Sequence, residues 1–163
     1  MTEIYLLPGD YYVGHAGCRI RTLLGSCVSI ALWHPALRVG AMSHFLLSSR
    51  GPRSSGALDA RYAEEAMTLM LRGLVAERVD PHECQAKLFG GGNMFPGLAV
   101  AHGENVGRKN GEAARMLVRA QNIPIVAESL WGVGHRRVIF DIASGDVSLL
   151  HVRPKAGRTS GVE

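Results

Sequence analysis

The residues of this chain best suited to nucleophilic chemistry are one cysteine and one histidine, Cys27 and His44. Cys27 follows Gly25-Ser26 and begins an apolar run that ends at Trp33. Small residues beside a cysteine allow a substrate to approach the sulfur, and they let backbone N–H groups face one point, as an oxyanion site requires. An imidazole that accepts the thiol proton makes the sulfur a strong nucleophile. The pattern indicates a cysteine-histidine dyad.

The segments around these two residues predict how they meet. Residues 27–33 and 39–47 have the composition of strands, and His34-Pro35-Ala36-Leu37 between them is typical of a tight turn. A turn centred between Pro35 and Ala36 places Cys27 directly opposite His44, where paired Cβ atoms lie roughly 4.5–5.5 Å apart. A slip of one residue would place the two side chains on opposite faces of the sheet.

Both residues also have ordinary structural explanations. Cysteine is among the most buried residue types, and a single cysteine in an apolar strand usually packs in the core. We give that interpretation to Cys18 and Cys84. A single histidine is commonly a surface or core residue, so spacing alone leaves the dyad as one of several explanations.

Composition limits the class of protein. A chain of 163 residues with 47% apolar and 20% charged residues suits one globular domain. The apolar runs are too short to span a bilayer and the N-terminus lacks a signal-peptide pattern, so we expect a cytoplasmic protein without membrane insertion. Three cysteines without a CxxC pair, and histidines without ligand spacing, predict neither a disulfide framework nor a metal site.

The positive charge has two explanations. A formal charge of +4 and a pI near 9.3 are compatible with nucleic-acid binding. However, the basic residues are mostly scattered, and aromatic residues make up only 6% of the chain, so no stacking platform is apparent. We therefore predict no nucleic-acid partner, and attraction to an acidic protein surface explains the charge equally well.

Periodicity predicts a single α+β domain over residues 1–156, followed by a flexible tail at 157–163. Two amphipathic helices would cover a sheet. The predicted segments are an extended 19–24, a loop at 48–57, a helix capped by Asp59 and running to about Arg78, a strand at 85–89, a helix at about 104–121, a strand at 123–127, and a hairpin of 137–142 with 146–152 around Ser144-Gly145.

A glycine run, Gly90-Gly91-Gly92, ends the strand predicted at 85–89. Such a run can cradle an anion or permit close approach of backbone to a substrate. The spacing here and at 103–109 does not match a nucleotide-binding loop. We therefore expect Gly90, Gly91 and Asn93 to form a wall of the active site, with one hydrogen-bond donor for the oxyanion.

Taken together, these segments resemble CheD, the chemoreceptor glutamine deamidase family of bacterial chemotaxis. The resemblance covers about residues 5–150, and its most specific parts are the GSC motif at 25–27 and GAMSH at 40–44. The other matching segments are Thr22-Leu23-Leu24, Lys87 to Gly91, Asn93-Met94-Phe95, Val106 to Asn110, Ile123 to Glu128, and Val138 to Asp141 with Ser144-Gly145. Ser129-Leu130-Trp131-Gly132 departs from the family pattern.

The resemblance implies roles for particular residues. Cys27 would be the nucleophile and His44 the base, and Thr22 would orient the histidine, with Arg21 as its neighbour. Gly25, Ser26 and Met42 lie within the two motifs and would surround the substrate or the oxyanion. No cofactor is implied.

The resemblance also implies a fold, a substrate and a partner. The fold would be a layered, sandwich-like α+β arrangement, similar to the catalytic domain of toxins that deamidate Rho GTPases. The substrates would be glutamines of methyl-accepting chemotaxis proteins, which become glutamates with release of ammonia. Some members also bind a CheC-type phosphatase.

Two alternatives remain open. The same thiolate could attack another amide or an ester, including the methyl esters of receptor glutamates. Alternatively, the chain could be a binding module that docks a receptor or a CheC-type phosphatase with little catalysis. The reactivity of the Cys27 thiol separates catalysis from binding.

Overall fold

A computed structural model describes residues 1–52, 56–96 and 105–154. Within these ranges it contains nine strands, two α-helices and a short 3-10 helix at Pro81–Glu83. The predicted tail at 157–163, the start of the second predicted helix at 104 and the middle of the predicted loop at 48–57 lie outside the described residues. The strands are β1 (Thr2–Leu6), β2 (Tyr11–His15), β3 (Cys18–Leu24), β4 (Val28–His34), β5 (Val39–Ser43), β6 (Gln85–Gly90), β7 (Ile125–Leu130), β8 (His135–Asp141) and β9 (Val147–Val152), and the helices are α1 (Ala63–Ala76) and α2 (Val106–Ala120).

The strands form two mixed sheets that face each other. One has the order β1-β3-β8-β9 and the other β2-β5-β4-β6-β7. Side chains from both sheets form the core between them, and a second core lies between the five-stranded sheet and the two helices. The molecule is therefore layered as sheet, sheet and helices, which confirms the predicted α+β class.

The central strand β4 contributes side chains to both cores. Ile30 and Leu32 belong to the core beneath the helices, whereas Ala31 belongs to the core between the sheets. A strand covered on both faces reads as a continuous apolar run rather than as alternating residues. Ala31 faces the opposite sheet, whereas the larger Ile30 and Leu32 face the helices.

The β4–β5 hairpin forms as predicted, but its predicted register is wrong by two residues. His34 pairs with Val39 across a four-residue loop that ends with Arg38 in the left-handed region, at φ 54°. The turn is therefore centred between Ala36 and Leu37. The pairs on either side of His44 place it opposite Ser29, not opposite Cys27. Because the shift is even, Cys27 and His44 keep a common face.

The predicted cap of the first helix is also wrong. Helix α1 begins at Ala63, four residues after Asp59, and Tyr62 precedes it without a side-chain cap. The Asp59 carboxylate instead accepts hydrogen bonds from the backbone N–H and the guanidinium of Arg61. Aspartate readily bonds the backbone two residues onward, and this local turn competes with capping. Helix α2 is capped by Asn105, whose side chain accepts from Arg108 N–H at 3.0 Å.

The strand predicted at 39–47 is shorter than expected, and two strands were not predicted. Strand β5 ends at Ser43, after which only isolated bridges continue the pairing. Strands β1 and β2 are five-residue edge strands, so neither shows the apolar run of a buried strand. The predicted hairpin around Ser144-Gly145 is confirmed as β8 and β9.

Gly90 allows β6 to pack closely against the start of β4. Its φ is 111°, and a Cβ at this position would overlap the carbonyl oxygen of Cys27. Gly17 has a similar φ of 100°, but a Cβ there would meet no atom within 4 Å. The two glycines share the same backbone constraint and differ in whether a side chain has room.

We predict that Gly90→Ala lowers the free energy of unfolding by about 2–5 kcal/mol, because backbone strain adds to a clash with Cys27. Gly17→Ala, which carries the backbone strain alone, should cost about 1–2 kcal/mol. Urea unfolding of the two variants measures both values. Equal losses would show that the close approach to Cys27 contributes nothing.

Candidate active site

Cys27 lies in the loop between β3 and β4, half-buried at the edge of the core between the sheets. Hydrogen bonds hold the carbonyl groups of this loop from two directions. Gly91 N–H donates to Cys27 O and Gly92 N–H donates to Gly25 O, both at 2.9 Å. From helix α2, Asn110 Nδ2 donates to Ser26 O at 3.1 Å. All three carbonyl groups of the GSC motif are therefore fixed.

Asn110 is a site residue that sequence reasoning did not single out. Its side chain is fully buried, and Nδ2 also donates to Leu46 O at 2.7 Å. One amide thus ties the loop of Cys27 to the segment that follows His44. A buried polar side chain without a partner is costly, so this pairing explains a polar residue on the inner face of α2. An asparagine among small residues on that face was the available signal.

His44 follows β5 and is only 2% exposed. Its Nδ1 lies 2.7 Å from Thr22 Oγ1, and that hydroxyl donates to Leu6 O at 2.8 Å. A hydroxyl carries one proton, and here the Leu6 carbonyl receives it. Thr22 must then accept a hydrogen bond from Nδ1–H. This assigns the neutral imidazole the tautomer in which Nε2 has a free lone pair.

The structure brings Thr22 and His44 into hydrogen-bond contact, but Cys27 is not hydrogen-bonded to His44. Because His44 lies opposite Ser29, the thiol is its diagonal neighbour on the same face, within reach of a long side chain. No hydrogen bond joins Sγ to the imidazole. The buried Ser29 hydroxyl has no partner among the described residues, so it does not compete for Nε2. Such catalytic hydrogen bonds often tighten only when substrate binds.

Burial controls the protonation of both groups. It lowers the pKa of His44 to about 4, with the nearby Asp10 carboxylate acting in the opposite direction. Burial also raises the pKa of the Cys27 thiol. Desolvation disfavours the charged form of each group, so the resting pair at neutral pH is a thiol and a neutral imidazole. The proton must move from sulfur to Nε2 during attack.

The backbone of the glycine run does not provide the predicted oxyanion donor. Its N–H groups already donate to carbonyl groups, those of Gly91 and Gly92 to the Cys27 loop and that of Asn93 to Gly132. By contrast, the N–H groups of Ser26 and Cys27 donate no hydrogen bond within the described part of the chain. They are the donors available beside the sulfur.

The remaining predicted surroundings have packing roles. Met42 is fully buried in the core between the sheets, so it forms part of the floor beneath the site. Gly25 provides room for Met94, because a Cβ at position 25 would lie 3.2 Å from its Cγ and Sδ. Asn93 Oδ1 accepts from Phe95 N–H at 3.0 Å and so shapes the loop after the glycine run.

The segment 129–132 is hydrogen-bonded to Gly90 and Asn93. The Arg136 guanidinium, 2% exposed, donates to Gly90 O, Trp131 O and Ser129 Oγ. Trp131 packs against the guanidinium of Arg115, whose carbon lies 4.6 Å from the ring centre. Arg136, the first of two adjacent basic residues, therefore points into the fold rather than to the surface.

The other two cysteines lie outside the candidate site. Cys84 is buried, and burial raises its pKa to about 11, so it is an inert core thiol. Cys18 is half-buried against the core between the sheets. No group of three His, Cys, Asp or Glu side chains in the described ranges could hold a metal ion. Neither α-helix there is long and apolar enough to cross a membrane.

Comparison with known proteins gives a consistent family. The family model described as CheD chemotactic sensory transduction matches residues 46–151, a range that begins just after His44. Probable chemoreceptor glutamine deamidase CheD 2 of Albidiferax ferrireducens is 54% identical over 160 residues, which cover 98% of this chain and 92% of that protein. CheD 3 of Dechloromonas aromatica, also named a probable chemoreceptor glutamine deamidase, is 44% identical over 90% of this chain and 86% of its own length.

A similar protein from Pseudomonas savastanoi pv. phaseolicola, again named a probable chemoreceptor glutamine deamidase CheD, is 43% identical. The alignment covers 93% of this chain and 85% of that protein. The similarity to these relatives therefore extends over nearly the whole chain, beyond the range matched by the family model.

The Thr22 relay predicts a specific effect of removing its hydroxyl. Thr22→Val leaves Nδ1–H and the Leu6 carbonyl without partners, so we expect a loss of about 1–3 kcal/mol in the free energy of unfolding. Imidazole ¹⁵N chemical shifts should then show His44 losing its single tautomer. Thr22→Ser keeps the hydroxyl and should retain the wild-type shifts. An unchanged His44 spectrum in Thr22→Val would contradict the relay.

The pKa of His44 predicts acid sensitivity of the fold. Because the folded-state pKa is about 4, below the ordinary 6.5, the unfolded chain binds this proton first. The contribution of His44 to stability is therefore complete above pH 6.5 and declines as the pH falls to about 4, by about 3 kcal/mol in total. Urea unfolding between pH 4 and 7 should show this loss in the wild type, and His44→Gln should show it less steeply. Parallel pH curves for the two proteins would refute the assignment.

Proposed function

This chain belongs to the CheD family, and we propose that it hydrolyses the side-chain amides of specific chemoreceptor glutamines to glutamate, with release of ammonia. The observation that carries this proposal is the relay from His44 through Thr22 to the Leu6 carbonyl, which leaves Nε2 unprotonated. A neutral thiol must lose its proton before it can attack, and an imidazole with this tautomer can accept that proton. The named relatives support the choice of substrate.

The proposed mechanism begins with proton transfer from Cys27 Sγ to His44 Nε2. The sulfur attacks the δ-carbon of the glutamine, and the N–H groups of Ser26 and Cys27 stabilise the oxyanion. Protonated His44 then donates its proton to the departing nitrogen, and ammonia leaves. A positioned general acid typically contributes about 10²–10⁴-fold to such a step. Throughout, Thr22 accepts from Nδ1–H and keeps the ring oriented.

The second half of the reaction regenerates the enzyme. Water attacks the thioester between Cys27 and the substrate, and neutral His44 accepts a proton from that water. Collapse of the tetrahedral intermediate breaks the carbon–sulfur bond, leaving glutamate, and the proton on His44 returns to the sulfur. The described residues supply each role, and none of these steps uses a metal or organic cofactor.

Location and partners follow from the same proposal. Methyl-accepting chemotaxis proteins are the proposed substrates, which places this chain in the cytoplasm beside their signalling domains. The formal charge of +4 favours approach to an acidic protein surface. A CheC-type phosphatase is a further proposed partner.

One observation favours a second function. The Cys27 thiol has a raised pKa and forms no hydrogen bond with His44 in the free protein. A chain that only docks a receptor or a CheC-type phosphatase does not need a reactive thiol, so a thiol of low reactivity is compatible with that function. A methylesterase is chemically closer to the main proposal, because the same sulfur could attack a glutamate methyl ester.

We predict that Cys27→Ala abolishes deamidation of a receptor cytoplasmic fragment while the domain stays folded. Mass spectrometry of the fragment detects the conversion of glutamine to glutamate, and an ammonia assay gives the rate. Cys18→Ala is the matched control, since it removes another half-buried thiol and should retain activity.

Persistent conversion by Cys27→Ala would disprove the nucleophile. Release of methanol from a methylated fragment, without release of ammonia from an amidated one, would identify an esterase. Tight binding of the fragment with no change in its mass would identify a docking module.

A further inference from the structure

A four-residue turn, Leu7 to Asp10, joins β1 to β2 beside the proposed catalytic histidine. Asp10 N–H donates to Leu7 O at 2.9 Å, Pro8 stands at the second position, and Gly9 at the third has a φ of 91°. This is the pattern of a type II turn. The Asp10 carboxylate closes the turn from the other side, because Oδ2 accepts from Leu7 N–H at 2.8 Å.

This turn holds the backbone of His44 at both of its polar groups. Gly9 N–H donates to His44 O at 2.8 Å, and His44 N–H donates to Asp10 O at 3.0 Å. The residue just before the turn, Leu6, provides the carbonyl that receives the Thr22 proton. One short segment therefore fixes the histidine backbone and also anchors the relay to its ring.

The Asp10 side chain adds a charge to this framework. Burial is the larger influence on His44 and lowers its pKa, and the Asp10 carboxylate raises that pKa from outside the core. Two other charged residues line the same surface hollow as Asp10, and each has its own partner. Arg50 binds Glu65, and Asp59 binds Arg61.

By hydrogen bonding and strand pairing, the neighbours of the imidazole come from three elements. Thr22 on β3 and Ser29 on β4 are neutral hydroxyl groups, and Cys27 in the loop between those strands is a neutral thiol at rest. Asp10 is the one charge among the described residues that acts on the ring. An imidazolium formed in this setting lacks other compensation, and an uncompensated buried charge is costly.

We propose that Asp10 is a further positioning residue of the reaction. Its carboxylate locks the turn that holds His44 and Leu6, and its charge stabilises the imidazolium that forms when His44 accepts the thiol proton. This role rests on the proposed function of the same site. It is separable from that function, because proton transfer from Cys27 to His44 can be measured without any substrate.

The test compares variants that keep or remove the charge. Asp10→Asn retains an oxygen that can accept from Leu7 N–H, so the turn persists while the charge is lost. Asp10→Glu retains the charge. Asp80→Asn is the control, because the Asp80 carboxylate also accepts a hydrogen bond from a nearby backbone N–H, that of His82, far along the chain from the site.

The rate of Cys27 alkylation by iodoacetamide at neutral pH reports how readily sulfur transfers its proton, and His44→Gln defines the rate without the base. We expect Cys27 in Asp10→Asn to be alkylated about threefold to tenfold more slowly than in wild type. This is the effect of lowering the pKa of His44 by about 0.5–1. Asp10→Glu should recover most of the rate, and Asp80→Asn should match wild type. An NMR titration should show a lower pKa for His44 in Asp10→Asn.

A purely structural role gives a different result. Asp10→Asn would then react like wild type with an unchanged pKa for His44, and the proposal would be overturned. If Asp10→Asn does not fold, the pair Asp10→Glu and Asp10→Gln differs in charge at equal length, and equal alkylation rates in that pair would overturn it as well. Failure of the proposed function is a separate result, namely that wild type releases no ammonia from a receptor fragment.

Discussion

The hydrogen bond from His44 to Thr22 is the interaction on which the site depends, because it decides which imidazole nitrogen is basic. It also spans the two sheets: Thr22 belongs to β3 of the four-stranded sheet, and His44 follows β5 of the five-stranded sheet. The ring is therefore oriented only when the sheets face each other. The core between them, which includes Ile20, Met42 and Phe140, is thus a requirement of the proposed chemistry as well as of stability. A site on one sheet alone would leave the tautomer unspecified.

The same burial that orients the histidine makes its charged form expensive. Lowering the pKa of His44 to about 4 keeps Nε2 free at neutral pH, but it also opposes the imidazolium that must form during attack. The Cys27 thiol, whose pKa burial raises, opposes the thiolate in the same way. The two charges become acceptable together, since they form as a pair and attract each other over a short distance. A carboxylate at the edge of the site, on Asp10, then assists without holding the ring permanently charged.

The residues proposed for catalysis were predicted from sequence, whereas the residues that support them could not be. Cys27, His44 and Thr22 lie in short motifs, and the even register shift kept the first two on one face although the turn was misplaced. The turn was misplaced because the four-residue loop runs from Pro35 to Arg38, one residue later than predicted, and residue type does not reveal the left-handed conformation of Arg38. Asn110 and Arg136 were missed because a polar residue on a helix or strand is usually exposed, and the small residues beside Asn110 were the one signal of its burial. Most of their partners are backbone carbonyl groups, which every residue carries.

The glycine run supports the Cys27 loop through backbone carbonyl groups, although its own N–H groups are not free to bind the substrate. Gly91, Gly92 and Asn110 bind the three carbonyl oxygens of residues 25–27, so those oxygens are turned toward the protein. A peptide N–H points away from the C=O of the same peptide unit. Fixing the carbonyl groups of Gly25 and Ser26 therefore aims the N–H groups of Ser26 and Cys27 away from these anchors. Such close backbone contact has no room for a Cβ at Gly90. Gly92 and Asn110 thus orient the proposed oxyanion donors indirectly, by holding the carbonyl ends of the same peptide units.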